Sequence, residues 1–331
     1  MTEFTRRSML GAAAAVGATA MTPVHTTPVL AAAPAAGQQA AGFYRYKVGD
    51  YEITVVTDGS TTRPLADNFV INQKKDDVNG ALAAAFMEKD KITIRYSPIV
   101  VNTGSKLIVI DTGTGEANFE RSKGAAGQFQ NNLKTAGIDR NAVDMVVISH
   151  FHGDHINGLL TPDKKLAFAN AEILVPAAEW KYFMDDGEMS RAPAGRMQDV
   201  FANVRRVFDA LGRKVTPYEA GKEVAPGITA VATHGHSAGH TSHIISSGSG
   251  KVFVQADVTN LPQLFVRNPG WHASFDQDPK LAEEVRRKVY DMLAAEKMMV
   301  QGFHYPFPAI AHVEKTPTGY REIPVPWSSS L

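Results

Sequence analysis

Four potential metal ligands lie within six residues of this 331-residue chain, in the run Ser-His-Phe-His-Gly-Asp-His at positions 149–155. These ligands are His150, His152, Asp154 and His155. The apolar, β-branched stretch just before them is typical of a strand that is buried on both faces. We therefore expect the ligands at the carboxyl end of a buried strand, where they are brought together for metal binding.

The order of residues within the run predicts how the ligands point. In an extended segment His150 and His152 project to the same side, and Gly153 then allows a tight turn that directs Asp154 and His155 elsewhere. This arrangement favours two ions side by side, each held by one ligand pair. Because the ligands are imidazoles and carboxylates, and the chain has no cysteine, zinc, manganese, iron or cobalt suits the site better than copper(I) or an iron–sulfur cluster.

Three later strand-like runs also deliver candidate ligands. His236 lies in a glycine-containing segment just after one run, and Asp257 and His304 each end another. Four strand ends that all carry acidic or imidazole groups indicate one site built by packed sheets rather than scattered surface histidines.

Five other histidines are secondary candidates. His234, His240 and His243 cannot all join one site with His236, so we expect His240 and His234 to orient ligands or to form the pocket wall. His312 is expected near the site or in the core. His272 lies in a loop marked by proline and glycine, where it could contact substrate or simply be exposed.

The chain resembles the hydrolases of the metallo-β-lactamase superfamily, whose H-x-H-x-D-H motif is matched in full. His236, Asp257 and His304 match the later ligands of that family. Over residues 42–326 the chain is more closely similar to the methyl parathion hydrolase and dihydrocoumarin lactonase branch. The segments that carry this closer resemblance are Gly42-Phe-Tyr-Arg-Tyr, Val101-Asn-Thr-Gly-Ser-Lys-Leu, Asp111-Thr-Gly, Ala232-Thr-His-Gly-His-Ser-Ala-Gly-His-Thr, and the ending from His304 through Phe307-Pro and His312 to Gly319-Tyr-Arg.

The resemblance implies an α+β fold, the four-layer αβ/βα sandwich, in which helices flank two β-sheets and the metal site lies at one edge. It implies two divalent metal ions, zinc before manganese, iron or cobalt, with Asp154 and Asp257 as catalytic residues and Asp111 as a turn and supporting residue. One ion would be held by His150, His152 and His236, the other by Asp154, His155 and His304, and Asp257 would bridge them.

The implied reaction is hydrolysis of lactones and aryl esters, and of organophosphate triesters, by a hydroxide shared between the metals. The partner is then a small-molecule substrate, and a homodimer is an expectation from the resemblance. Acyl-homoserine lactone or β-lactam hydrolysis by the same fold is an alternative. An iron-dependent oxidoreductase of the persulfide dioxygenase type is the alternative from another class, because such enzymes keep the same motif.

An aromatic cluster suggests a wall for the substrate pocket. Trp180 and Phe183 follow a predicted strand, and Phe201 lies on a predicted helix beyond it. We predict that these three, with His272, line the pocket, Phe183 foremost. Aromatic residues at helical spacing are equally typical of a protein core.

Composition and the amino terminus set the remaining expectations. Lysine plus arginine and aspartate plus glutamate both number 34, so no overall charge favours nucleic acid or an anionic membrane. Residues 1–41 resemble a twin-arginine signal peptide with a flexible lead-in, which predicts export to the periplasm or secretion. Residues 42–331 are predicted to form a single hydrolase domain that contains no membrane-spanning segment.

Overall fold

The computed structural model describes residues 37, 39, 40 and 42–331. The predicted signal peptide and lead-in, residues 1–41, therefore lie almost wholly outside the described residues. No helix in the described part of the chain is both long enough and apolar enough to cross a lipid bilayer.

Two seven-stranded sheets make up the centre of the fold. The first sheet has the spatial order β1-β2-β5-β6-β7-β8-β9. Its strands are β1 (Phe43–Val48), β2 (Tyr51–Val56), β5 (Ile99–Asn102), β6 (Leu107–Ile110), β7 (Met145–Val147), β8 (Glu172–Pro176) and β9 (Thr216–Tyr218). Strands β6 to β9 run parallel, so their carboxyl ends meet at one edge of this sheet.

The second sheet is formed by the carboxyl-terminal half of the chain, in the order β10 through β16. Its strands are β10 (Glu223–Ala225), β11 (Ile228–Ala232), β12 (Thr241–Ser247), β13 (Gly250–Ala256), β14 (Met299–Gly302), β15 (Ile310–Lys315) and β16 (Tyr320–Pro324). Strands β13 and β14 are parallel, and the chain between them includes the longest helix of the described residues.

A two-stranded ribbon and eight helices complete the described residues. The ribbon pairs β3 (Gly59–Pro64) with β4 (Lys91–Tyr96). The helices are α1 (Lys75–Ala84), α2 (Ala117–Arg121), α3 (Phe129–Thr135), α4 (Gly153–Ile156), α5 (Ala177–Met184), α6 (Asp186–Arg191), α7 (Arg196–Ala210) and α8 (Pro279–Glu296). Shorter helical turns lie at Arg140–Ala142, Asn157–Leu159 and Pro262–Val266.

Alternating side chains place apolar groups on both faces of the sheets. In β7, Val146 packs under the helices α3, α5 and α7, whereas its neighbour Val147 packs between the two sheets. Helix α8 covers the outer face of the second sheet with Val289 and Leu293. Each such fully buried side chain contributes about 1.5–3 kcal/mol to folding. The layers therefore run helix, sheet, sheet, helix, which confirms the expected αβ/βα sandwich.

Local sequence explains the helix boundaries. Helix α8 begins at Pro279, because the Asp278 side chain accepts a hydrogen bond from Leu281 N and Pro279 suits the first turn. Helix α1 spans Lys75–Ala84. It ends before Phe86, because Phe86 adopts a left-handed conformation with φ of 57°, which no α-helix continues through.

Candidate metal centre

The histidine-rich run follows β7 and changes direction where the sequence suggested. His152 is still extended, and the short helix α4 starts at Gly153, so Asp154 and His155 lie in its first turn. His150, His152 and His155 are buried. The extended-then-helical backbone separates the run into two ligand pairs.

The first ligand set consists of His150, His152 and His236. His150 Nε2 lies 3.0 Å from His152 Nδ1, which lies 2.8 Å from His236 Nε2. Three ring nitrogens that converge in this way, all buried, can serve one cation.

The second ligand set consists of Asp154, His155 and His304. Asp154 Oδ2 lies 3.6 Å from His304 Nε2 and 3.9 Å from His155 Nε2. Asp154 is partly exposed, whereas the two histidines are buried. This set includes a carboxylate oxygen as a possible metal ligand, which the first set lacks.

Asp257 lies between the two sets. Its Oδ2 is 3.3 Å from His236 Nε2 and 3.1 Å from His304 Nε2, and its Oδ1 is 3.2 Å from His155 Nε2. One carboxylate therefore contacts a histidine of the first set and both histidines of the second, which is the position of a bridging ligand. The structure thus brings together all seven residues that the sequence singled out as metal ligands.

Unpaired polar atoms indicate that these residues fit divalent cations. His155 Nε2 and Asp257 Oδ1 are 3.2 Å apart but poorly aligned, and within the described residues neither atom has a hydrogen-bond partner. Leaving such buried atoms unpaired is costly unless another group satisfies them. A donor set of imidazole nitrogens and carboxylate oxygens suits zinc and its neighbours in the first transition row.

The charges in the site favour bound cations. Burial and the neighbouring His155 hold the pKa of His150 well below its usual range, so its ring is neutral and free to coordinate. Burial alone would also lower the pKa of His155, but Asp257 and Asp111 outweigh it and hold that pKa well above its usual range. Burial would raise the pKa of Asp257, but His304 and His155 hold it well below its usual range. The carboxylates thus attract positive charge, which divalent cations would supply.

Asp111 orients the second ligand set. Its Oδ2 accepts a hydrogen bond from His155 Nδ1 at 2.8 Å, and its Oδ1 accepts one from Ser149 N at 2.8 Å. Asp111 adopts a φ of 59° in the turn after β6, a conformation that aspartate tolerates better than most residues. These contacts leave Nε2 of His155 as its ligand atom and agree with the turn and supporting role expected for Asp111.

Two further contacts orient histidines, and neither was predicted from the sequence. His236 Nδ1 donates to Asp276 Oδ1 at 2.8 Å, and Asp276 is paired in turn with the buried Arg286 at 3.3 Å. His304 Nδ1 donates to the carbonyl oxygen of Arg95 at 2.6 Å. Each contact fixes a ring and leaves Nε2 for a metal.

Glu179, on α5, connects the two ligand-bearing loops and was also missed. It is fully buried and accepts hydrogen bonds from Phe151 N at 3.0 Å, from Ser237 Oγ at 2.9 Å and from Gly239 N at 2.6 Å. A Cβ on Gly239 would lie 2.1 Å from Glu179 N, so only glycine allows this approach. The available signal was a single acidic residue beside Trp180 in a helix rich in apolar side chains.

His240 supports the site from within the fold, whereas His243 does not contact it. His240 Nδ1 donates to Thr233 O at 3.0 Å, which leaves Nε2 to accept from the backbone N of Asp257 at 3.0 Å. His243 contacts the Tyr218 hydroxyl at 3.0 Å, away from the ligand sets. His240 therefore positions the bridging carboxylate, as expected of a supporting residue.

The other three histidines lie elsewhere. His234 is half-buried in a separate groove near Gln277. His312 is exposed on β15, and therefore lies neither in the core nor beside the ligand sets. His272, predicted to line the pocket, is instead paired with Glu283 at 2.8 Å and does not line the cavity over the ligands.

A cavity of about 440 Å³ opens over the ligand sets. Its floor includes His152, Asp154, His236 and Asp257. The remaining lining residues are Thr61, Arg63, Ile94, Tyr96, Thr114, Asn118, Arg121, Gly153, Asn157, Arg196, Val200, Asn260 and Phe275. A substrate in this cavity therefore reaches both ligand sets past a wall of both polar and apolar side chains.

The aromatic residues predicted to form this wall lie in the core instead. Phe183 and Phe201 are almost fully buried, with ring centroids 4.9 Å apart, and Trp180 packs at 5.2 Å from Phe208. None of the three lines the cavity. The prediction failed because helical spacing directs aromatic side chains toward the first sheet, and the same spacing serves a core and a pocket.

Comparison with known proteins gives the family. The model of the Metallo-beta-lactamase superfamily matches residues 96–295. The crystal structure of hydrolase AbOPH of the beta lactamase superfamily is 25% identical, with a TM-score of 0.80 over 88% of this chain and 100% of that chain. The dizinc quorum-quenching lactonase AidC, in complex with the product N-hexanoyl-L-homoserine, is 25% identical, with a TM-score of 0.80 over 87% of this chain and 99% of that chain.

A more distant likeness shows the fold alone. A probable metal-dependent hydrolase from Staphylococcus aureus is 20% identical, with a TM-score of 0.65 over 86% of this chain and 100% of that chain. No curated protein matches the sequence. Because the family match spans more than half of the chain and includes six of the seven ligand residues, this protein belongs to the metallo-β-lactamase superfamily.

Proposed function

We propose that this protein is a dinuclear metal-dependent hydrolase of lactones and aryl esters. The observation that carries the proposal is the position of Asp257, whose two oxygens contact histidines of both ligand sets. One site that can hold two cations under an open cavity suits the hydrolysis of a carbonyl or phosphoryl centre.

Two divalent cations held there would lower the pKa of a water molecule and polarise the substrate oxygen under attack. The residues of the chain supply the geometry. Asp111 and Asp276 fix the rings of His155 and His236, and His240 fixes the backbone of Asp257. These contacts hold the metal-ligand atoms in place before substrate binds, which lowers the reorganisation needed during the reaction.

The relatives support a lactone substrate. AidC is a lactonase that this chain matches over almost the whole of AidC's length. Its product is an opened acyl-homoserine lactone. AbOPH is a hydrolase of similar overall structure. We further propose that the chain falls in the methyl parathion hydrolase and dihydrocoumarin lactonase branch, with organophosphate triesters as additional substrates.

The test is a comparison of catalytic efficiency on zinc-loaded protein. The substrates are dihydrocoumarin, phenyl acetate, N-hexanoyl homoserine lactone and a dimethyl aryl phosphotriester, each also assayed after chelation and after zinc is restored. We expect the protein to hydrolyse a lactone or an aryl ester. Chelation should abolish this activity, and added zinc should restore it. Turnover that survives complete removal of metal, or no turnover of any of the four by protein that retains two metal ions, would overturn the proposal.

A further inference from the structure

Three guanidinium groups face the cavity without carboxylate partners. Arg63 lies on β3, Arg121 ends α2 and Arg196 begins α7, and all three line the cavity. Among the described residues, none of them has a carboxylate oxygen within 4.0 Å. Most other arginines of the fold do have such partners, for example Arg205 and Arg213. The cavity therefore concentrates positive charge that the fold does not neutralise.

The acidic residues of the cavity cannot balance this charge. Asp154 and Asp257 are the carboxylates that line it within the described chain, and both contact histidines of the ligand sets. Two bound divalent cations would make the cavity more positive still. Low-dielectric walls around one sign of charge attract ligands of the opposite sign.

Arg196 and His152 present two donors to the same space. His152 Nδ1 points into the first ligand set, so with a metal on Nδ1 the proton of this ring lies on Nε2. His152 Nε2 lies 3.4 Å from the guanidinium of Arg196, whose other terminal nitrogen donates to Phe275 O. When His152 Nε2 carries the proton, it and the guanidinium are both donors, and an anionic oxygen beside them would accept from both.

Asn260 adds an unpaired amide to the same wall. It is 6% exposed and lines the cavity, and its Oδ1 has no hydrogen-bond partner among the described residues. A buried amide without partners is uncommon in a folded protein. Its NH₂ group can donate to a substrate oxygen, and its Oδ1 can accept from a substrate hydroxyl or amide.

We propose that the substrate is an ester or lactone that carries a second, non-reacting anionic group, a carboxylate or a phosphate, which binds to Arg196, His152 Nε2, Arg63 and Arg121. The inference rests on the proposed function, because it takes the cavity over the ligand sets as the substrate site. The neutral end of the substrate is then hydrolysed at the ligand sets, while the arginines set its orientation and select for charge.

The test compares matched aryl esters on the zinc-loaded protein. The three substrates are 4-nitrophenyl esters whose acyl chain ends in a free carboxylate, in a phosphonate or in the methyl ester of that carboxylate. We expect the protein to hydrolyse at least one charged ester about tenfold more efficiently than the neutral one at low ionic strength, with the preference falling as salt is added. The better of the two charged esters identifies the anion.

Substitution of the arginines separates binding from general damage. Arg196→Gln should lower kcat/KM for the charged ester about five- to tenfold more than it lowers kcat/KM for the neutral ester. Arg63→Gln and Arg121→Gln should act in the same direction with smaller effects. Arg213→Gln, just beyond the other end of α7, is the matched control and should change neither. An equal loss on both esters, or a wild-type protein that prefers the neutral ester, would overturn the proposal.

A binding measurement keeps this test distinct from that of the proposed function. If no ester is hydrolysed, the proposed function fails, but calorimetric titration of the zinc-loaded protein with glutarate and with inorganic phosphate still tests the anion site. Binding that Arg196→Gln weakens about five- to tenfold, and Arg213→Gln leaves unchanged, supports the site. Equal affinity in wild type and Arg196→Gln would overturn it.

Discussion

The aromatic cluster and the cavity lie on opposite sides of the same histidine-rich run. Phe151 packs against Trp180, Phe183 and Phe208 in the dry core, whereas its neighbour His152 faces the cavity and the ligand sets. Extended backbone explains the separation, because successive side chains point to opposite faces. One short segment thus contributes to stability with one residue and to the site with the next.

Substitutions in the two regions should therefore affect different properties of the protein. The rings of the aromatic cluster pack on one another and do not line the cavity, so substitutions there should change the free energy of unfolding and leave substrate choice unchanged. The cavity and ligand sets carry polar groups with unpaired atoms, so substitutions there should change activity or metal binding while the fold persists.

The largest effect is expected from Asp257→Asn. This change removes the negative charge that contacts both ligand sets, and kcat/KM should fall on the order of a thousandfold or more. The far-ultraviolet circular dichroism spectrum should stay that of the wild type. Asp163→Asn, at an exposed loop position, is the control. Activity of Asp257→Asn within about tenfold of wild type would remove the bridging role.

In the aromatic cluster, Phe183→Ala should act on stability. The side chain is 1% exposed, and its removal should cost about 3–5 kcal/mol in free energy of unfolding. The relative kcat/KM values among lactone, ester and phosphotriester substrates should not change. Phe86→Ala is the control, because Phe86 is fully exposed and should leave stability unaltered. A changed substrate ranking in Phe183→Ala would place this ring beside the substrate after all.

Glu179 lies on the boundary between the regions, and Glu179→Gln should affect both. A glutamine cannot accept at both ends, so one of the donors from Phe151, Ser237 or Gly239 loses its partner. We expect a loss of about 1–3 kcal/mol in free energy of unfolding, together with weaker zinc binding. Glu120→Gln, on the exposed helix α2, provides the comparison. Unchanged stability and zinc affinity would show that Glu179 does not hold the two loops.

The most localised effect, on zinc affinity alone, is expected from the residues that orient single ligands. Asp276→Asn should weaken zinc binding about 10- to 100-fold through His236, and Asp111→Asn should do the same through His155. Competition with a chromophoric chelator measures both affinities, and Asp163→Asn is again the control. If neither variant differed from wild type, the hydrogen bonds to Nδ1 would have no part in metal affinity.

The ligands were predictable from sequence because their spacing has a local physical meaning. The alternation of His150 and His152 and the turn at Gly153 follow from backbone geometry alone, and helix α8 was readable from Asp278 and Pro279. The four-layer fold followed from the resemblance that these residues support. The histidine-rich run and the start of α8 both depend on interactions between neighbours in the sequence.

The polar residues that line the cavity could not be predicted in this way. Arg63, Arg121 and Arg196 come from three elements that are distant in sequence, and each looks like an ordinary surface arginine until the fold brings it to the cavity. Asp276 and Glu179 are single acidic residues whose partners lie on other elements. The aromatic cluster was visible in the sequence, but its spacing could not say which face of the first sheet it covers.

The second ligand set joins Asp154, which follows the first sheet, to His304, which follows β14 of the second. A cation bound there links two halves of the molecule that the chain connects only over a long distance, so it can bind the native state and has no equivalent site once either sheet unfolds. Ligand binding of this kind adds about 2.7 kcal/mol to stability when the free ligand is a hundredfold above its dissociation constant. The melting temperature of this protein should therefore rise with free zinc concentration and report on how well the environment supplies its metal.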